Sequence, residues 1–376
     1  MRIFLQSIFG QLLLNPYIFR RGYQALPPQK KWRIPFIFFF ILEWAFYFTG
    51  YFFHGRLPDG IWEGILMICN TWYVASIYIT MGLMLLELIR LTGRRKEWYP
   101  AFIRNHWPET KLSLFFIFLA GITGLMLKGY HNATYPVVKH VYIHIPKVVE
   151  GRDSLTIAMM SDMHFGETIG KKHAQRFVSL CNAQHADIIV LTGDLIDYES
   201  LIAEREHIEE DLQKLNAPLG TYIILGNHEY RANRHAKFQW IKKTGGILLV
   251  DSVAMPDTTF YLVGRDDAIN LKRASLHSLM KEVDLSKPVI VLDHQPVAFN
   301  EIMMNKADAG LHGHTHNGQL WPYPLILKLR YQCAYGYYRK GNTQFYVSSG
   351  IGCAGPPFRI GTCSELVVLH ITFDKR

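Results

Sequence analysis

The chain has 376 residues, enough for two domains, and 49% of them are hydrophobic while only 19% are charged. The charge is uneven: residues 1–130 hold 14 Lys and Arg against 6 Asp and Glu, whereas residues 131–376 hold 26 against 25. Nucleic-acid binding needs a basic surface, so the near-neutral C-terminal part argues against that class of function.

Three long apolar runs lie near the N-terminus, at residues 34–53, 64–89 and 112–127. About 20 helical residues cross the hydrocarbon core of a bilayer, so each run predicts a transmembrane helix. A fourth run, 3–19, is interrupted by polar residues and leaves three or four helices open. The predicted organisation is a transmembrane helical region at 1–130, a linker at 131–153 and a second domain at 154–376.

The charges in the loops predict an orientation. Five Lys and Arg residues lie between positions 20 and 33, and six lie between 90 and 111, whereas the loop 54–63 holds one. The positive-inside rule puts the two basic stretches in the cytoplasm. The run 112–127 then leads outward. We expect a multi-pass protein of the cell (inner) membrane whose second domain is extracytoplasmic.

From residue 154 onward, short β-rich runs alternate with amphipathic segments, a pattern typical of layered α/β domains. The predicted helices are 171–182 and 199–215. The predicted strands are 155–160, 187–191, 222–225, 260–263, 289–292, 309–311, 345–348 and 366–371.

Five of these strands end in polar clusters, where ligands gather in α/β sheets. Carboxylate, amide and imidazole groups without thiolates suit Mn, Fe, Zn or Mg. There are enough of them for two ions, and two ions ~3.5–4 Å apart can clamp a transferring phosphoryl group. The clusters are Asp162-Met163-His164, Gly193-Asp194 with Asp197, Gly226-Asn227-His228-Glu229, Asp293-His294 and Gly313-His314-Thr315-His316.

Taken in order, these motifs resemble the calcineurin-like metallophosphoesterase superfamily over residues 155–372. Two further stretches, 314–319 and 348–352, are similar to its bacterial membrane-associated branch, the YkuE-like proteins. The resemblance implies a four-layer αββα sandwich behind the transmembrane helices. It also implies two divalent ions, whose identity among Mn, Fe, Zn and Mg stays open, and a water activated between them that attacks phosphorus.

The resemblance also implies roles for individual residues. His228 would stabilise the phosphate or protonate the leaving oxygen, and Asp197 would hold the tautomer of His228. Asn317 stands where the branch usually has Gly, which bears on substrate preference. The implied metal ligands are Asp162, His164 and His316 for the first ion, Asn227, His294 and His314 for the second, and Asp194 for both.

Several residues outside the motifs keep two interpretations. Arg359 is a candidate contact for substrate phosphate. Cys353 and Cys363 could form a disulfide in an oxidising compartment. Four aromatic residues either form an apolar surface near the membrane or pack in the domain: Trp321, Tyr323, Tyr331 and Tyr335.

The favoured function is a membrane-anchored enzyme that hydrolyses phosphate monoesters, diesters or pyrophosphates. Its expected partners are the bilayer and a phosphorylated small molecule or lipid of the cell envelope. One alternative is a pyrophosphatase of the UDP-diacylglucosamine type that faces the cytoplasm. Another is a non-enzymatic transporter or sensor with a metal-binding domain, against which the complete ligand set and the His228–Asp197 pair weigh.

Overall fold

A computed structural model of the chain describes residues 2–53, 55–96, 100, 103 and 105–375. The chain divides into two compact units, Met1–Gly129 and Tyr130–Arg376. Within the described residues, the long helices are α1 (Arg2–Ala25), α2 (Lys30–Phe52), α3 (Asp59–Lys96) and α4 (Trp107–Thr134).

Three helical segments are long and apolar enough to cross a membrane: Lys30–Phe52, Gly60–Thr92 and Trp107–Thr134. They contain the runs 64–89 and 112–127 and all of the run 34–53 except its last residue. Only 22%, 22% and 11% of their apolar windows are buried. Most of their side chains therefore face outward, as expected for helices surrounded by lipid.

Helix α1 does not belong to those three segments, because its polar residues reduce its hydropathy. Those polar residues point inward: Gln11 and Asn15 are buried, whereas Leu13 is 80% exposed. Asn15 donates to the Glu43 carboxylate (2.9 Å) and accepts from the Trp72 indole (3.0 Å). Glu43 thus has a structural role that joins α1, α2 and α3.

The second unit contains two six-stranded sheets. The first sheet has the order β1-β12-β2-β3-β4-β5 and the second β10-β11-β9-β8-β7-β6. The strands are β1 (Val137–Val148), β2 (Ser154–Met160), β3 (Ile188–Thr192), β4 (Thr221–Ile224), β5 (Ile247–Leu248), β6 (Ser252–Ala254), β7 (Tyr261–Gly264), β8 (Val289–Leu292), β9 (Ala309–His312), β10 (Gly336–Lys340), β11 (Thr343–Val347) and β12 (Glu365–Asp374).

Helices cover the outer face of each sheet. Two short 3-10 turns, His228–Tyr230 and His316–Gly318, follow β4 and β9. The helices are α5 (Lys171–Asn182), α6 (Leu201–Arg205), α7 (Ile208–Leu212), α8 (Arg234–Lys243), α9 (Leu276–Leu279), α10 (Phe299–Met304) and α11 (Tyr323–Arg330).

Three buried clusters define the four layers. One cluster lies between the sheets and joins Val190 of β3 to Leu292 of β8. A second packs α5 and α8 on the first sheet, and the third packs α9 and α10 on the second sheet. Burial of both faces explains why the central strands are apolar without alternation. The predicted αββα sandwich is confirmed.

Two predicted segments differ from the structure. Residues 131–153 are not a linker, because β1 occupies 137–148 and pairs in parallel with β12 over ten positions. Residues 199–215 form two short helices, α6 and α7, rather than one, since His207 adopts a left-handed backbone (φ 52°) between them.

Candidate metal centre

The polar motifs meet because of strand direction. Strands β2, β3 and β4 are parallel neighbours, as are β8 and β9, so each set delivers its carboxyl ends to one edge. Four candidate ligands follow their strands at the same distance, two residues past the last strand residue. They are Asp162, Asp194, His294 and His314.

The backbone turns sharply at most of these residues. Five candidate ligands have left-handed φ values between 51° and 74°, a conformation that costs a non-glycine residue roughly 1–3 kcal/mol. Strain of this kind is typical of functional sites, where the surrounding structure holds it. The five are Asp162, His164, Asp194, His314 and His316.

The first group of candidate ligands comprises Asp162, His164 and His316, whose donor atoms lie within 4.8 Å of one another. Nε2 of His164 lies 2.9 Å from Nε2 of His316. Nε2 of His316 lies 3.4 Å from Oδ1 of Asp162. Two imidazole nitrogens and a carboxylate oxygen therefore point to a common position, as ligands of one ion would.

The second group comprises Asp194, His294 and His314. Nε2 of His294 lies 3.2 Å from Oδ2 of Asp194, and Nδ1 of His314 lies 2.8 Å from Oδ1 of Asn227. Asp194 Oδ2 is also 3.8 Å from Nε2 of His164 in the first group. Asp194 thus lies between the two groups, where the resemblance expects the bridging carboxylate.

The residues present fit two divalent cations. Asp162 and Asp194 are buried carboxylates, and within the described part of the chain their recorded partners are histidines, Ser161 and backbone N–H groups, not Lys or Arg. Buried charges require compensation, which metal ions would supply. Nδ1 of His294 donates to the carbonyl of Thr192 (2.7 Å), and among the described residues its buried Nε2 has no hydrogen-bond partner beyond the contact with Asp194 Oδ2. That nitrogen is available as a ligand.

A third imidazole, that of His228, lies beside the two imidazoles of the first group, 4.5 Å from the His164 ring. Nδ1 of His228 donates to the backbone oxygen of Asp197 (2.7 Å) and lies 3.1 Å from its carboxylate. Burial raises the pKa of Asp197, but the neighbouring imidazoles of His164 and His228 lower it by a larger amount. The net pKa of Asp197 therefore lies below the usual range of an aspartate. Asp197 thus contacts Nδ1 of His228 through its backbone oxygen and its carboxylate, as a residue that holds the His228 tautomer would.

Glu229, the last residue of the motif Gly226-Asn227-His228-Glu229, has a supporting role. Its buried carboxylate accepts the backbone N–H groups of Asp194 (2.9 Å), Leu195 (2.9 Å), Ile196 (3.1 Å) and Gly226 (2.7 Å). It fixes the turns that carry Asp194 and Asn227. Only the motif Gly-Asn-His-Glu pointed to it.

Two basic side chains near His228 lie outside the sequence motifs, so the sequence did not identify them. Lys237 is fully buried and donates to the backbone oxygen of His228 at 2.6 Å. Arg231 is exposed, and its Nη1 donates to Nε2 of His228 at 2.6 Å. Lys237 therefore stabilises the backbone of this turn, whereas Arg231 is solvent-exposed beside the His228 ring.

The structure corrects the interpretation of Arg359. Its side chain is fully buried and donates to the carbonyls of His316 (3.1 Å) and Gly352 (2.8 Å), so it braces loops and does not meet substrate. The thiols of Cys353, which is buried, and Cys363, which is exposed, are free. Asn317 adopts the left-handed backbone (φ 47°) that its residue type tolerates.

Comparisons with known proteins agree with this site. The calcineurin-like phosphoesterase family model matches residues 155–318, which include every candidate ligand. A Danio rerio "transmembrane protein with metallophosphoesterase domain" is 30% identical over 388 aligned positions, covering 97% of this chain and 87% of the relative. A Campylobacter jejuni metallophosphoesterase is 28% identical over 378 positions, covering 98% and 97%. Bacillus subtilis YkuE is 26% identical over 274 positions, covering 68% and 96%.

The chain therefore belongs to the calcineurin-like metallophosphoesterase family and is a hydrolase of phosphoric ester bonds. We call Met1–Gly129 the helical unit and Tyr130–Arg376 the catalytic unit. The Danio rerio and Campylobacter jejuni alignments cover so much of the chain that they include both units. The candidate ligands suit the dimetal centre typical of the family.

Proposed function

We propose that this protein is a membrane-anchored, extracytoplasmic phosphoesterase that uses two divalent ions to hydrolyse a phosphate ester or pyrophosphate on a cell-envelope or lipid-linked substrate. The observation that carries the proposal is the convergence of two ligand groups on Asp194, beside the His228–Asp197 pair. Bound ions would lower the pKa of water and neutralise phosphate charge.

The two ligand groups would hold the ions at the sheet edge. Asp162, His164 and His316 would hold one, and Asn227, His294 and His314 the other, with Asp194 between them. Glu229 keeps Asp194 in place through the backbone N–H groups that it accepts.

Arg231 is positioned to bind the substrate phosphate, because its guanidinium is exposed beside His228. A phosphate oxygen is a stronger partner for a guanidinium than a neutral imidazole is. The incoming phosphate would therefore draw Arg231 away from Nε2 of His228. Nε2 could then take a proton from water and give it to the leaving oxygen, while Asp197 holds Nδ1.

The proposal is tested by His228→Ala, assayed on an aryl phosphate, its bis-ester and a lipid pyrophosphate. Loss of a general acid lowers kcat by roughly 100- to 10,000-fold. Because His228 is outside the proposed ligand set, the variant should keep its bound metal. Unchanged turnover would refute the role of His228, and the preferred substrate of the parent separates the ester and pyrophosphate alternatives.

Sidedness is tested with the exposed thiol of Cys363. A membrane-impermeant maleimide should label Cys363 in right-side-out vesicles, and Cys363→Ser should lose that label. Labelling confined to inside-out vesicles would place the catalytic unit in the cytoplasm and favour the alternative of a cytoplasm-facing pyrophosphatase.

A further inference from the structure

Helix α11 of the catalytic unit exposes several large apolar side chains next to one another. Of its eight residues, Leu327 alone is buried. Leu329 is 90% exposed, Leu325 and Ile326 are 53% exposed, and Tyr323 is 46% exposed. Contiguous apolar exposure of this kind marks an interaction surface.

The composition of α11 indicates which partner it fits. Exposed Lys328 and Arg330 accompany the apolar residues, and Trp321 precedes the helix with 49% exposure. Aromatic, aliphatic and basic side chains together are typical of segments that lie in the membrane interface, where the cations meet anionic headgroups.

The bilayer is also the partner within reach. Two residues, Tyr135 and Pro136, separate the end of the candidate span Trp107–Thr134 from the start of β1 at Val137. The catalytic unit is therefore tethered to a membrane by a very short connection, and a tethered surface meets its partner at high effective concentration.

Helix α11 borders the metal centre at both ends. At its start, a Cβ on Gly318 would come within 2.6 Å of the Pro324 nitrogen, so the helix packs on the turn that carries His316. At its end, the Tyr331 ring lies 6.4 Å from the His314 ring. Whatever docks on α11 is therefore adjacent to two candidate metal ligands.

We propose that α11 and Trp321 form a membrane-docking surface, which seats the catalytic unit on anionic lipid headgroups and presents lipid-borne phosphate to the metal centre. The proposed docking follows from the exposed side chains and the residue composition of α11. The choice of lipid-borne phosphate as the ligand rests on the proposed function. The occupant is a lipid bilayer, not a protein.

The test uses the full chain in nanodiscs, with Cys363→Ser as the parent. A small fluorophore is attached through Leu329→Cys or, as the matched control, through Ile247→Cys. Ile247 is 50% exposed on β5, at the opposite edge of the first sheet from β1. The parent alone reports labelling of the remaining thiols.

Interfacial side chains lie ~5–10 Å into the headgroup boundary, so lipids with brominated acyl chains should quench the label at 329 about two-fold. The label at 247 should keep its emission. Quenching at 329 should be stronger with phosphatidylglycerol than with phosphatidylcholine alone, and the pair Lys328→Gln and Arg330→Gln should remove that difference.

Equal emission at 329 with and without bromine would overturn the proposal, as would equal quenching at 247. Disulfide-linked dimers of Leu329→Cys without quenching would assign the face to a second copy of the chain and overturn it too. Aryl phosphate turnover of the same samples separates the two claims: no turnover with quenching at 329 refutes the proposed function and leaves docking intact.

Discussion

The helical unit exposes many of its apolar side chains on its surface, whereas the catalytic unit buries most of them in its interior. Helix α1 turns Asn15 inward and leaves Leu13 80% exposed, whereas Val190 and Leu292 of the catalytic unit are fully buried. The first arrangement suits lipid and the second suits water. Helix α11 is the exception that makes the comparison useful, because it belongs to the catalytic unit but exposes Leu329 as α1 exposes Leu13.

The buried polar groups of the two units differ as well. In the helical unit, Glu43 is hydrogen-bonded to the neutral amide of Asn15. In the catalytic unit, Asp162 and Asp194 contact imidazole nitrogens that converge with them. Among the described residues, the hydrogen-bond and ion-pair partners of these two carboxylates include no Lys or Arg side chain. A buried polar pair that satisfies itself indicates packing, whereas a convergent set of ligand atoms indicates an ion-binding site.

The largest contrast is expected for an aspartate placed on each surface. Phe38 is 60% exposed on α2, and Leu271 is 95% exposed in the catalytic unit. Phe38→Asp should cost about 3 kcal/mol of membrane insertion, whereas Leu271→Asp should change stability by less than about 0.5 kcal/mol. Carbonate extraction and thermal unfolding measure the two effects. Equal tolerance of both substitutions would contradict a lipid-facing α2.

A smaller effect is expected at Glu229. Glu229→Gln keeps the shape but turns an amide towards backbone N–H groups that need acceptors. Residues that orient metal ligands typically change affinity or activity by about 10- to 100-fold. Turnover measured against metal concentration should therefore show weaker metal activation. Wild-type metal dependence would show that the turn around Asp194 holds without the carboxylate.

An effect of similar size is expected at Arg231, beside His228. Arg231→Met removes a charged hydrogen-bond donor, which is worth about 1.5–3 kcal/mol, so kcat/KM should fall roughly 10- to 100-fold, mainly through KM. Arg234→Met is the matched control, because Arg234 stacks on the Tyr230 ring at 4.1 Å. Equal KM values for the two variants would refute phosphate binding by Arg231.

The motifs at the strand ends carry the family resemblance, and that resemblance implied the sandwich. The same motifs contain the residues that meet at the sheet edge. The sequence was insufficient for β1, whose pairing with β12 joins positions more than 200 residues apart. Left-handed backbone at Asp162 and Asp194 is also a product of the folded surroundings. The contact between Arg231 and His228 depends on the geometry of the 3-10 turn His228–Tyr230, which the pattern of residue types does not predict.

Metal content and turnover of one purified sample test the central claim most directly. The protein is stripped, resupplied with Mn, Zn or Mg, and assayed on an aryl phosphate beside Asp194→Asn, which loses the ligand shared by both groups. We expect two ions per parent chain and metal-dependent cleavage that falls by roughly 1,000-fold in the variant, about 4 kcal/mol of barrier. Full turnover after stripping, or an unchanged Asp194→Asn enzyme, would contradict a two-metal phosphoesterase.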